Sequence, residues 1–119
     1  MKEIKECNLW KKSRRLLFSV YRITEQFSDD EKQRVGKQLQ KYCIENLSNV
    51  LKCCDNKNPN RATLYLNTIY LMEKLSKCLQ SANSLHILRS NDYECLNLQM
   101  LEIRNLIEMS NLRRETGYT

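Results

Sequence analysis

Six cysteines, one histidine and a large set of lysines and arginines are the side chains in this 119-residue chain that could do chemistry. The cysteines are placed like small apolar residues. Cys43, Cys54, Cys78 and Cys95 fall within helical apolar patterns. Cys53 and Cys54 are adjacent, which is poor geometry for bridging one another. His86 is the only histidine and has no Cys, His, Asp or Glu at ligand spacing, so it reads as a loop or surface residue. A Cys–His nucleophile pair would have to use it, and nothing in the pattern supports that. Tandem cysteine spacing for zinc, a phosphate-cradling glycine loop, a dinucleotide glycine pattern and the Glu-x-x-His of diiron bundles are all missing. The expectation is a binding or assembly protein with no catalytic residue, no metal and no cofactor.

The remaining chemistry is charge. The formal net charge is +6 and the pI is about 9.1, which favours a polyanionic partner. Lys11, Lys12, Arg14, Arg15 and Arg22 lie roughly opposite the apolar side of the first helix. For any single one of these bases a solvated polar face is the ordinary reading. The sharper reading is a phosphate-binding strip, because like charges on one face repel unless a polyanion neutralises them. Phe18 sits among them, away from the core side. It can pack on a neighbouring subunit or stack on a nucleobase, and a neighbour is the preferred reading.

Four helices are needed to position these groups. Only two glycines and one proline leave few turns for an all-β fold. The first helix is expected over about 4–26, with Leu9, Leu16, Leu17, Val20, Ile23, Thr24 and Phe27 facing the core and Trp10 closing one end. The second, over 29–54, organises the chain. Ser28 caps it and Glu31 completes a capping box, with Asp29 and Asp30 favourable at the positive end of the helix dipole. Its stripe of Val35, Leu39, Tyr42, Cys43, Leu47, Val50 and Cys54 is widened by Ile44 and Leu51, so it reads as wrapped on most sides. Gly36, inside its first turns, suggests close approach of another helix or is incidental.

Asn58 and Pro59 are expected to start the third helix, over 59–82. Its stripe is Leu64, Tyr65, Thr68, Ile69, Met72, Leu75, Leu79 and Ala82. Leu66 and Tyr70 lie off it and suggest cover on a second side, while Lys74 and Lys77 read as solvent-facing. Leu85, Ile87 and Leu88 are expected against the bundle end. Ser90 is expected to cap the fourth helix, over 91–112, whose core face is Leu96, Met100, Ile103, Leu106 and Ile107. A second stripe of Leu98, Leu101, Met109 and Leu112 lies nearly opposite. One helix of a monomeric bundle needs only one apolar face, so this stripe, with Phe18 and the wide stripe of the second helix, points to an oligomer interface. The charged start MKEIKECNLWKK lacks the apolar run of a signal peptide, and no segment is apolar enough to span a bilayer. A reducing cytoplasm is the expected compartment.

The order of these features resembles a known family. Trp10 precedes an amphipathic helix ending in Val20-Tyr21-Arg22-Ile23-Thr24-Glu25-Gln26-Phe27. The Ser-Asp-Asp-Glu cap, Gly36, a long helix, a short turn, a third helix, Leu85–Leu88, Ser90 and Tyr93 follow. Over residues 9–112 this is similar to the four-helix-bundle family of proteins encoded in ribosomal RNA intervening sequences and of Avd, the accessory variability determinant of diversity-generating retroelements. The middle, from Leu47 through Arg61 and Leu75 to Tyr93, looks closer to Avd. The end, MSNLRRET, departs from that branch in lacking its Gly-Trp.

The resemblance implies an all-α, antiparallel up-down four-helix bundle assembled into a barrel-like homopentamer. It further implies a non-catalytic accessory protein that binds template RNA or cDNA and the retroelement's reverse transcriptase. The family's functional feature is a distributed basic surface. That adds Arg34, Lys37, Lys41 and Lys52 on the second helix to the first-helix bases as expected nucleic-acid contacts. The intervening-sequence branch implies instead a structural or RNA-binding bundle with no polymerase partner.

Overall fold

A computed structural model describes residues 7–55 and 59–115, with side chains through 109. Among the described residues the chain is all-helical, with four helices and no strand. Helix α1 is Asn8–Thr24. Helix α2 covers residues 29–53 as a first turn Asp29–Glu31, a π-helical turn Lys32–Gly36 and an α-helix Lys37–Cys53. Helices α3 and α4 are Arg61–Ser84 and Ser90–Glu115. The 26 residues of α4 rise about 39 Å, most of the 47 Å long axis of a body 22 × 20 Å across.

Each helix packs on the next, and α4 returns to α1, so the four close a ring around one core. Leu16, Val20, Leu39, Val50, Leu75, Leu79, Leu96, Ile103 and Ile107 are buried at its centre. Burying one such side chain fully contributes roughly 1.5–3 kcal/mol, which outweighs any single surface interaction in this chain. The core faces expected of α1, α3 and α4 are the faces that turn inward.

Helix α2 starts as its sequence predicts. The Ser28 hydroxyl accepts from the Glu31 N–H at 3.2 Å, and the Ser28 N–H donates to Glu31 Oε1 at 3.0 Å. The π-helical turn that follows has no signal in the apolar periodicity: the Lys37 N–H reaches the Lys32 carbonyl, five residues back. Gly36 is buried there against the end of α1. A Cβ added to it would lie 3.6 Å from Thr24 Cβ and 3.7 Å from Phe27 Cδ2, which is ordinary contact. The site therefore approaches α1 closely without excluding a methyl group.

Several expectations are corrected. Helix α2 is not wrapped on most sides: it packs mainly on α1 and α3, leaving Ile44 and Leu51 exposed. In their place it buries Cys53 and Asn46, and neither amide atom of Asn46 has a hydrogen-bond partner among the described residues. Leu66 and Tyr70 on α3 are likewise exposed, because α3 also touches only two neighbours closely. Lys74 is half-buried, with its ammonium 5.2 Å from the Tyr70 ring centre. Cys95 is exposed rather than packed.

Helix α3 begins at Arg61, with Pro59 and Asn60 in the preceding turn and Asn58 outside the described residues. Arg61 accounts for the offset. Its Nε donates to the Cys53 carbonyl at the end of α2 (2.9 Å) and its Nη2 to the Tyr65 hydroxyl (3.2 Å), closing the connection at the first residue of the helix. Helix α4 begins at Ser90, and the first helical bond runs from the Tyr93 N–H to the Arg89 carbonyl at 2.9 Å, so Arg89 rather than Ser90 takes the cap position.

Helix α3 ends in a Schellman turn. The His86 N–H donates to the Asn83 carbonyl and the Ile87 N–H to the Ala82 carbonyl, with His86 at φ 59°. The turn carries Leu88 into the core and half-buries Ile87, but it leaves Leu85 exposed. His86 is exposed, as a loop histidine should be.

Candidate nucleic-acid interface

Lys11, Arg14, Arg15, Phe18 and Arg22 follow one another at intervals of one to four residues, which places them along one side of α1. That side faces a groove of about 410 Å³ between α1 and α4. All five side chains line it on the α1 wall, and Cys95 and Gln99 line it from α4. The floor is a polar tie between the two helices. Gln99 Nε2 donates to the hydroxyl of buried Ser19 at 3.0 Å and also approaches Cys95 Sγ at 3.5 Å.

Arg14 is held along the helix rather than projecting freely. Its guanidinium carbon lies 5.5 Å from the centre of the Trp10 ring and 4.9 Å from that of Phe18. The order Trp10, Arg14, Phe18 is a ladder at four-residue spacing, each cation–π contact contributing roughly 0.5–1 kcal/mol at an exposed site. Trp10 packs on the bundle core at its end of α1, and its indole N–H has no partner among the described residues.

Lys12 does not line the groove and donates across the same seam to Glu102 Oε2 on α4. This hydrogen bond and charge hold the Glu102 carboxyl below its ordinary range, with a smaller contribution from Arg15. Arg34 is also paired: its Nη2 lies 2.8 Å from Asp30 Oδ2, and its Nε donates to the same oxygen at 2.9 Å. Lys37, Lys41 and Lys52 are exposed on α2 but do not line the groove. The expected set of nine bases is thus divided. Four of them, Lys11, Arg14, Arg15 and Arg22, share one concave surface.

The residues expected at an oligomer interface are divided as well. Leu98 and Leu101 are 62 % and 54 % exposed. They line a second groove, of about 280 Å³, with Met72 from α3 and with Met100 and Arg104. Met109 is exposed further along the same helix. Leu112 lies outside the residues whose side chains are described. Phe18 belongs to the cationic groove on another side of the molecule.

Sequence reasoning missed Ser19 and Gln99. A signal for Gln99 exists, because Cys95, Gln99 and Glu102 form a polar stripe at i, i+4, i+7 between the two apolar stripes of α4. The buried Ser19 carries no such pattern.

Three of the six thiols are held in their protonated form. Burial pushes Cys43 up to about 12, with a further push from neighbouring Cys78. Cys54 is likewise raised to about 12, by burial first and then by its hydrogen bond with Cys7. Cys78 is raised by burial. These three thiols stay protonated at neutral pH, whereas the thiolate is the nucleophilic and metal-binding form. Among the described residues no three His, Cys, Asp or Glu side chains are grouped to hold a metal ion. No described helix is long and apolar enough to cross a membrane.

A scan against protein-family models returns no match, and a search of curated proteins returns none either.

Proposed function

We propose that this protein is a non-catalytic, nucleic-acid-binding accessory protein of the Avd type. In this reading an antiparallel up-down bundle assembles into a barrel-like homo-oligomer, a pentamer by resemblance. It holds template RNA or cDNA and docks the reverse transcriptase of a diversity-generating retroelement. The observation that carries the nucleic-acid part is the convergence of Lys11, Arg14, Arg15 and Arg22 on one groove, where their like charges repel unless phosphates enter. Exposed Leu98 and Leu101 beside an apolar groove support self-association. The retroelement assignment rests on the resemblance of residues 9–112.

Light scattering after size exclusion, with and without a short structured RNA at two salt concentrations, tests the reading. The expected particle is about 70 kDa, five times the 14.2 kDa chain, and it releases RNA at high salt. Arg15→Glu with Arg22→Glu should weaken binding and lower the slope of log K against log salt by about 1.4–1.8, as expected for two lost phosphate contacts. An unchanged slope would remove the groove from the reading. Co-purification with the reverse transcriptase supports the Avd branch. RNA binding without it supports the intervening-sequence branch.

A further inference from the structure

The geometry points to an unstacked base of a single-stranded nucleic acid as the occupant of the α1–α4 groove, stacked on Phe18 with its flanking phosphates on Lys11, Arg15 and Arg22. This rests on the nucleic-acid reading above and names the form of the ligand. Phe18 is 56 % exposed in a wall that otherwise carries only cations and small polar groups. An exposed phenyl ring among four cations gives nothing to a phosphate, which needs charge and N–H donors. It suits a ligand that alternates anions with flat apolar faces, and a nucleic-acid strand is such a ligand.

Arg14 reinforces the point. Its guanidinium sits over the Phe18 ring and also reaches Trp10, so this cation is held in a stacked position rather than extended for a phosphate. The result is a π-cation-π ladder on which a base can add one more layer. Lys11, Arg15 and Arg22 remain around it for the backbone.

A duplex fits less well. Its bases are already stacked on one another and present no face to Phe18, and only phosphates would be bound. Phosphate-only binding calls for a long run of free cations. Here Lys12 is tied to Glu102 and Arg34 to Asp30, and the α2 lysines do not line the groove.

Fluorescence anisotropy with a labelled 12-nucleotide single strand, a duplex of equal length and a single strand with central abasic sites tests this, using the full chain. The single strand should bind at least tenfold tighter than the duplex at matched salt. Phe18→Leu should lose about tenfold on the single strand, within the range for one stacking contact, with an unchanged salt slope because no charge is removed. Phe18→Trp should retain binding. The abasic strand should bind wild type and Phe18→Leu alike, since the base that Phe18 would hold is gone. Equal binding of strand and duplex, with Phe18→Leu indifferent, would overturn the stacking site while leaving the nucleic-acid reading standing. Loss of oligomer mass in Phe18→Leu, with unchanged affinity, would assign Phe18 to a subunit contact instead. Failure of every probe to bind wild type at low salt would overturn the nucleic-acid reading itself.

Discussion

Helix α4 contributes to two seams of opposite character. Toward α1 it presents Cys95, Gln99 and Glu102 to a wall of cations around one aromatic ring. Toward α3 it presents Leu98, Leu101 and Arg104 beside Met72 and Met100. The same helix thus lines one cationic groove and one largely apolar groove, with residues that are in places neighbours in the sequence. Rotation by about 100° per residue makes this separation possible: residues 98 and 99 are adjacent in the chain and line different grooves. A single surface property such as net charge cannot describe this molecule, because its two grooves differ in what lines them.

The largest test of the contrast is to charge the apolar seam. Leu98→Glu with Leu101→Glu should drop the scattering mass to that of the 14.2 kDa chain. Both side chains are exposed, so helical circular dichroism and unfolding should change little. Nucleic-acid affinity should fall about 100-fold through lost multivalency, with the groove intact. Arg14→Glu with Arg15→Glu should do the converse, weakening binding at constant mass. If the leucine variant keeps its mass, the α3–α4 seam is not a self-association surface and the contrast breaks.

A stability change remote from both seams provides the control. His86 sits at positive φ in the Schellman turn, where a Cβ is strained and glycine is not. His86→Gly should raise the unfolding free energy by about 0.5–1 kcal/mol, read as a higher urea midpoint at unchanged slope. Particle mass and nucleic-acid affinity should stay as they are. A change in either would mean that stability, rather than surface chemistry, governs what the seams do.

The smallest effect sharpens the cationic seam. Glu102 neutralises Lys12 and lies near Arg15 at the edge of that groove. Glu102→Gln should strengthen nucleic-acid binding two- to fivefold at low salt, about the scale of one exposed ion pair, and have no effect at high salt. Acid should imitate it. The folded-state pKa of Glu102 is depressed, so the pair contributes above the ordinary carboxylate range and is lost as pH falls through the lowered value. Anisotropy titrations at several pH values, in the wild type and in Glu102→Gln, read both effects.

Local rules made much of the fold legible in the sequence. The helix count, the Ser28–Glu31 capping box, the inward faces of α1, α3 and α4, and the exposed second stripe of α4 follow from 3.6-residue periodicity and capping chemistry, which act within a few residues along the chain. So does the alignment of Lys11, Arg14, Arg15 and Arg22 on one helix. Periodicity could not say which parts of a broad apolar stripe find a neighbour. Ile44 and Leu51 are as apolar as the residues that are buried, yet they face solvent, while Asn46 is enclosed. That choice depends on where α1 and α3 lie around α2. Likewise the sequence placed cations on two helices. Only the docking of α4 beside α1 enclosed four of them with Phe18 in one groove, tied Lys12 to Glu102, and joined Gln99 to Ser19 across eighty residues of chain. Those contacts are non-local, and no spacing along a single helix encodes them.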